Sequence, residues 1–260
     1  MVHSLPGHQT GAFEILMDAA WPAVERRDTG EWVLRAAAGV TQRANSVWPR
    51  NTAGEPLAAL REAMQWYRER RLPLIFQMTD TPANDGLNQV LDAQGFTRQS
   101  ETLIMSRPSG NGFPGSGSGR VEVQDAPDEE WLHLWWSVDG RGGEGQRDTA
   151  RAILTGCPSL YALVRGDDGV PAAVGRLAMV HGTGGIYCMA TSASGRRRGY
   201  ATAVLQALLA EGGAHGVDRF WLLVTAANQA ARQLYSKAGF TESGRYIYRQ
   251  QRPRRALTGC

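Results

Sequence analysis

The segment from Ala190 to Phe240 constrains the fold of this chain most strongly, because it alternates strand and helix signals around a basic turn. Three consecutive arginines precede Gly199, and the apolar residues of Thr202–Leu209 then recur at helical spacing. The segment continues with a buried strand over Phe220–Val224 and a second helix over Asn228–Ala238. This order predicts an α/β protein in which the basic turn joins a strand to a helix.

The basic turn has the properties of a phosphate-binding site. Free backbone N–H groups and the positive end of the helix dipole meet at a helix start, and both attract anions. Arg196, Arg197 and Arg198 add guanidinium charge, and Gly199 allows the backbone to approach a ligand closely because it has no Cβ. The pattern favours a transferase that binds a phosphate-bearing substrate.

These residues resemble the GNAT superfamily of N-acetyltransferases. The family pattern is Arg/Gln-x-x-Gly-x-Gly/Ala at a strand-to-helix turn, followed downstream by Asn, by Tyr seven residues later, and by Gly-Phe. The matching residues are Arg196, Gly199, Ala201, Asn228, Tyr235, Gly239 and Phe240. The resemblance covers Arg120 to Pro253 well and the N-terminal half more faintly.

The resemblance implies acetyl-CoA as co-substrate, no metal, and Tyr235 as the general acid that meets the departing thiolate. Tyr235 could instead be a half-buried aromatic on a helix face, and Asn228 a helix N-cap, a cofactor contact or both. The backbone of Met189–Thr191 is expected to pair with the pantetheine arm. The implied cofactor-binding residues are Met189, Ala190, Thr191, Arg196, Arg197, Arg198, Gly199, Tyr200, Ala201, Thr202, Asn228 and Tyr235.

The sequence departs from the family in the strand before the basic turn. Many members carry a glutamate there as general base, whereas residues 184–190 contain no carboxylate. His181, Asp139 and Glu144 are alternatives from neighbouring loops. Each of them is better explained as a surface residue, so the general base stays unassigned.

Cys188 could be a covalent nucleophile, but the favoured interpretation is that it serves as a small buried apolar residue. Three tryptophans, Trp131, Trp135 and Trp136, are predicted to pack in the core or to line the acceptor pocket.

The chain also contains an internal repeat. Asn84 precedes Gly95-Phe96 by eleven residues, which is the spacing between Asn228 and Gly239-Phe240. We therefore expect two tandem GNAT-like units, each a mostly antiparallel twisted sheet flanked by helices. A Gly/Ser-rich linker at 108–119 would separate an N-terminal domain (1–107) from a catalytic domain (120–252), which a basic tail (253–260) follows.

The N-terminal unit is predicted to be degenerate. Leu91 occupies the position that matches Tyr235. The turn Arg50–Glu55 lacks the Arg-x-x-Gly-x-Ala pattern and carries a carboxylate that would repel phosphate. A structural or substrate-shaping role is expected for this unit.

Composition limits the remaining possibilities. A net charge of +3 is mild, so the C-terminal arginines indicate a solvated tail rather than a nucleic-acid arm. The N-terminus lacks the features of a secretion signal, no apolar run approaches membrane-spanning length, and the cysteines have no metal-ligand spacing, so a cytoplasmic protein is predicted.

The leading functional hypothesis is acetyl transfer to the primary amine of a small molecule or peptide in a ternary complex. An acyl-CoA sensor or regulatory protein is the alternative, and the overall plan is similar to that of mycothiol synthases. The oligomeric state, monomer or homodimer, stays open.

Overall fold

A computed structural model describes residues 6–110, 121–140 and 142–251, with side chains from Phe13 onward. The helices are α1 (Pro6–Ala20), α2 (Pro56–Glu69), α3 (Asp85–Ala93), α4 (Glu129–Asp139), α5 (Glu144–Leu154), α6 (Tyr200–Ala214) and α7 (Gln229–Lys237). The strands are β1 (Glu25–Asp28), β2 (Trp32–Ala36), β3 (Trp48–Pro49), β4 (Ile75–Thr79), β5 (Phe96–Pro108), β6 (Val121–Gln124), β7 (Ser159–Arg165), β8 (Pro171–Val180), β9 (Thr183–Thr191), β10 (Arg219–Thr225) and β11 (Thr241–Gln251).

The chain forms two compact units, and neither is continuous in sequence. The large unit comprises residues up to Pro22 together with Thr102–Gly244, and the small unit comprises Ala23–Glu101 together with residues from Arg245. The division passes through β5 and β11, so each of these strands contributes to both units. Residues 6–22 thus group with the segment that the sequence assigned to the second domain, because α1 packs on β8 and β9. The linker beyond Gly110 and the basic tail lie outside the described residues, and a boundary there stays a prediction.

The large unit contains a mixed sheet with the strand order β11-β5-β10-β9-β8-β7-β6. From β5 to β6 in this order, neighbouring strands are antiparallel except β9 and β10, which run parallel. Helices α6 and α7 share one apolar cluster with Ile186, Phe220 and Leu222 on one sheet face. The alternate residues Tyr187 and Trp221 point to the other face, where they contact Trp21 and Phe13 of the N-terminal segment.

The small unit has a separate core beneath α2 and α3. Its strands form the antiparallel sheet β1-β2-β3 and the antiparallel pair β4–β11. Strand β2 pairs with β1 on one side and with β3 on the other. The Asn45 side chain accepts hydrogen bonds from the N–H groups of Ala37 and Gly39, which holds this segment as a turn.

The predicted fold class is confirmed: both units combine mostly antiparallel strands with flanking helices. In the described ranges, no helix is both long enough and apolar enough to cross a membrane.

Candidate active site

Strands β9 and β10 of the large unit part from each other halfway along their length. Their parallel pairing extends from Thr183 and Arg219 to Ile186 and Leu222. Both strands continue beyond that point, β9 to Thr191 and β10 to Thr225. The edge of Met189–Thr191 that faces away from β8 therefore lies beyond the last residue pair with β10, and an extended ligand could pair with its backbone.

A bulge in β9 coincides with this separation. The register between β8 and β9 shifts between Val174 and Arg176, so Gly175 alone faces Cys188 and Met189. Cys188 adopts a positive φ of 54°. Gly175 leaves space for the bulge, because a Cβ there would lie 2.6 Å from Met189 Sδ and 2.7 Å from Val204 Cγ1.

The basic turn joins this strand end to α6. Arg197 and Gly199 have φ values of 61° and 82°, and Gly199 is the N-cap of the helix. Ala203 donates the first helical hydrogen bond, to the Gly199 carbonyl at 3.0 Å. The N–H groups of residues 200–202 precede that bond, so they have no partner within the helix. Alternating left-handed residues before a helix start form a concave, anion-binding backbone.

The three arginines of the turn are exposed, and one of them is held by the protein itself. Arg198 Nη2 lies 2.5 Å from Asp167 Oδ2, in the turn between β7 and β8, and its Cζ lies 5.4 Å from the centre of the Tyr200 ring. Arg196 and Arg197 form no ion pair with any other described residue. Sequence reasoning missed Asp167, because a hairpin turn 31 residues away supplies this carboxylate.

Asn228 is the N-cap of α7. Its Oδ1 accepts a hydrogen bond from the Ala231 N–H at 3.1 Å, so the capping interpretation is confirmed. The side chain is exposed, which leaves its remaining polar atoms accessible. A cofactor contact by Asn228 stays a prediction.

Tyr235 lies on α7 with only 7% of its surface exposed. Its ring packs in the cluster beneath α6 and meets Phe240 edge-on, with a centroid separation of 6.1 Å. Burial raises the pKa of Tyr235 to about 12, and its hydroxyl has no hydrogen-bond partner among the described residues. Below that pH the phenol keeps its proton, so it can act as a proton donor.

The large unit brings several of the predicted residues together. Tyr200 and Tyr235 belong to one apolar cluster, and Met189 packs against it. The end of β9, where it separates from β10, and the start of α6 thus pack in the same core as Tyr235, the candidate acid.

The candidates for a general base are less well placed. His181 lies in the turn before β9, and a strand rise of about 3.3 Å per residue puts it on the order of 20 Å from Met189. Asp139 and Glu144 are exposed, at the end of α4 and the start of α5. The structure does not single out a base from these three.

Two of the three tryptophans belong to the core. Trp131 donates from Nε1 to the carbonyls of Ala162 and Gly175 at 3.1 and 3.2 Å, and Trp135 is 3% exposed. Trp136 alone is partly exposed, beside Gly140 at the end of α4. It is therefore the tryptophan that could contact an acceptor.

Comparison with known proteins identifies the family. The family described as "Probable histone acetyltransferase Rv0428c C-terminal" matches residues 9–249. The chain belongs to this family. The "Uncharacterized N-acetyltransferase YobR" of Bacillus subtilis strain 168 is 27% identical over 249 residues, which cover 92% of this chain and 97% of that protein. The "Probable histone acetyltransferase Rv0428c" of Mycobacterium tuberculosis is 31% identical over 124 residues, 48% of this chain but only 37% of that protein.

Solved structures show the same fold. A GCN5-related N-acetyltransferase from Kribbella flavida has a TM-score of 0.68 at 17% identity, with 97% of each chain covered. A tandem GNAT protein from the clavulanic acid biosynthesis pathway has a TM-score of 0.64 at 14% identity, covering 91% of this chain and 86% of that one. The predicted resemblance is confirmed: the chain belongs to an acetyltransferase family and has the fold of GNAT N-acetyltransferases, including that of a tandem GNAT protein.

Proposed function

We propose that the protein transfers an acetyl group from acetyl-CoA to the primary amine of a small molecule or peptide, by direct attack in a ternary complex. The observation that carries this proposal is the separation of β9 and β10 directly before a glycine-capped helix start. On one side of this opening lies the backbone edge of β9, and on the other lie the amide N–H groups and arginines at the start of α6.

These groups fit the two chemically different parts of coenzyme A. The pantetheine arm carries amides, which can pair with the free backbone edge of Met189–Thr191. The pyrophosphate is anionic and suits the N–H groups of Gly199–Thr202, with Arg196 and Arg197 beside them. A Cβ at position 199 would strain the backbone, because φ there is 82°.

Acetyl transfer to an amine has two protonation requirements. The amine must be neutral to attack, yet a lysine-like amine has a pKa of about 10. The departing thiolate resembles that of cysteine, with a pKa of about 8.5, and leaves more readily when it is protonated. Holding the amine and thioester together accounts for most of the remaining rate increase.

Tyr235 is the residue to which we assign protonation of the departing thiolate. The amine nitrogen forms a bond to the acetyl carbon, the carbon–sulfur bond breaks, and the Tyr235 hydroxyl donates its proton to the sulfur. The phenolate then regains a proton from water. Because burial raises the pKa of Tyr235 to about 12, the hydroxyl is protonated at the start of each cycle.

The amine proton leaves without an assigned protein base. Residues 183–191 of β9 contain no carboxylate, so water can accept this proton. The rate should then rise with pH as the free-amine fraction of the acceptor grows.

Turnover by the purified chain tests the proposal. Thiol release from acetyl-CoA should require an added primary amine, and a panel of small amines and peptides with free amino groups would locate the acceptor class. Initial-rate plots should intersect, as direct attack in a ternary complex requires, and Cys188→Ser should retain activity. Parallel plots together with an inactive Cys188→Ser would indicate a covalent cysteine intermediate. Tight acetyl-CoA binding without thiol release from any amine would overturn the proposal and favour a sensor.

A further inference from the structure

Helix α7 ends in a tight turn that includes the backbone of Tyr235. The Phe240 N–H donates to the Tyr235 carbonyl at 3.0 Å, and the Gly239 N–H donates to the Ser236 carbonyl at 3.0 Å. Gly239 has a φ of 83°, and Phe240 contacts the Tyr235 ring. Both hydrogen bonds and the apolar contact are those of a Schellman motif, in which Tyr235 is the third residue from the helix end.

The Ala238 carbonyl lies at the end of the same helix and accepts a hydrogen bond from Arg107 Nη1. Arg107 is on β5, opposite Phe220 of β10, and is 5% exposed. Its Cζ lies 6.0 Å from the centre of the Phe240 ring. One buried guanidinium therefore contacts both residues that flank Gly239, and its positive charge lies at the negative end of the helix dipole.

The position of the Tyr235 hydroxyl depends on this turn. The hydroxyl has no hydrogen-bond partner among the described residues, so helix ends and ring packing set its place. Asn228 fixes the first turn of the helix through the Ala231 N–H. At the other end, Arg107 and the Schellman turn fix the residues next to Tyr235. A proton donor must sit within hydrogen-bond reach of its acceptor, so a small displacement of this turn lowers the rate.

We propose that Arg107 is a positioning residue for acetyl transfer, which holds the end of α7 so that the Tyr235 hydroxyl meets the departing sulfur. This inference rests on the proposed function. It assigns a catalytic consequence to an arginine on β5, a strand that lies N-terminal to the whole basic-turn segment.

The small unit supplies a matched control. Arg249 of β11 lies opposite Phe76 of β4, is fully buried, and donates to the Phe96 carbonyl at 3.2 Å and to Asn88 Oδ1 at 2.7 Å. Arg249 also forms an ion pair with Asp92. Like Arg107, it donates to a backbone carbonyl beside the Gly-Phe turn that ends a helix, but that helix is α3, where Leu91 takes the place of tyrosine. Replacing Arg249 removes a similar structural contact without affecting a candidate acid.

A double-mutant cycle tests the inference. Arg107→Met should lower kcat on a verified acceptor about tenfold, with acetyl-CoA affinity and acceptor KM within about twofold of wild type. In a Tyr235→Phe background the same change should have almost no effect, because Arg107 acts through the hydroxyl that is already missing. Arg249→Met should leave kcat unchanged in both backgrounds.

The possible outcomes separate this inference from the proposed function. Equal losses of kcat from Arg107→Met in both backgrounds would overturn it, because a merely structural role is independent of Tyr235. A Tyr235→Phe enzyme with wild-type kcat would instead contradict the proposed acid. If Arg107→Met does not fold, Arg107→Lys replaces it in the cycle: lysine can donate to the Ala238 carbonyl but lacks a planar group over Phe240. We expect Arg107→Lys to lower kcat about threefold in the Tyr235 enzyme only, and an equal loss in both backgrounds would again overturn the inference.

Discussion

The first turns of α6 and α2 occupy matching places in the repeat but present different groups to a possible ligand. At α6 the N-cap is Gly199 in a left-handed conformation. At α2 the N-cap is Glu55, and Pro56 takes the first helical position, where it contributes no N–H group. The same element of the repeat thus presents amides and arginines in one unit and a carboxylate in the other.

The surroundings of α2 strengthen this contrast. The Gly54 N–H donates to Glu31 Oε1 at 3.0 Å, so an internal carboxylate occupies the kind of position that a phosphate would take. Arg50 of this turn is paired with Asp28 at 2.5 Å. A cavity of about 410 Å³ beside the turn is lined by several residues that include Glu31, Glu55 and Glu62. In the small unit, a carboxylate of the chain itself therefore occupies the loop before α2, whereas no internal carboxylate is bonded to the corresponding turn amides of the large unit among the described residues.

The second helices of the two units, α7 and α3, differ in one decisive residue. Both end in a glycine with positive φ followed by phenylalanine: Gly239 has a φ of 83° and Gly95 a φ of 75°. The repeated Gly-Phe therefore terminates a helix in each unit, while only α7 carries a tyrosine one turn earlier. The two units thus share the residues that end the helix and differ at the residue to which we assign the proposed acid.

The largest effect is expected from a carboxylate at the N-cap of α6. Gly199→Glu should remove detectable acetyl-CoA binding, because a side chain is strained at this φ and its charge repels the pyrophosphate. Calorimetry of the wild type should give one tight site per chain. Glu55→Gly is the matched change in the small unit, and it should not create a second site because Glu31 still occupies the Gly54 N–H. Two equivalent tight sites in the wild type would contradict the comparison.

Tyr235→Phe should have the next largest effect. Loss of the hydroxyl should lower the rate of the chemical step on the order of 10²-fold or more, while the retained ring keeps coenzyme A affinity nearly unchanged. The neutral phenol is the active form, so the wild-type rate should not fall through loss of this proton until the pH approaches about 12. A wild-type rate in the mutant, with an unchanged pH profile, would show that Tyr235 serves only in packing.

The sequence predicted local features of the site well and long-range features poorly. The helix predicted from Asn228 to Ala238 spans Gln229–Lys237 with Asn228 as its N-cap, because capping is encoded within one turn. The bulge at Cys188 was not predicted, since it depends on the register between β8 and β9 and on the missing Cβ of Gly175. Helix α1 and the contacts of Arg107 were missed for the same reason: their partners are distant in sequence.

Replacing Arg196 and Arg197, which form no ion pair with the other described residues, should have a smaller effect on acetyl-CoA binding. Arg196→Ala combined with Arg197→Ala should weaken acetyl-CoA binding about tenfold at low salt, and the loss should shrink as salt screens the exposed charges. Binding titrations at two ionic strengths would measure both effects. A salt-independent loss would point to a change in turn conformation instead.

The smallest effects concern the third arginine of the turn. Because Asp167 already pairs with Arg198, Arg198→Ala should weaken binding only about twofold, less than either neighbour alone. Asp167→Asn should tighten binding by a similar factor, since it frees a guanidinium at the open helix start. Weaker binding by Asp167→Asn would show that this pair shapes the turn rather than competing with the ligand.

The passage of β5 and β11 through both units has a consequence for synthesis of the chain. Strand β4 of the small unit pairs with residues 246–250, which are synthesised after the entire Thr102–Gly244 segment of the large unit. The small unit can therefore complete its β4–β11 pair only after the Thr102–Gly244 segment has been made, and pairing at such sequence separation is slow. A gene divided within 108–119 would yield two fragments that each lack a strand of their own unit. Neither unit therefore corresponds to one contiguous segment of the gene.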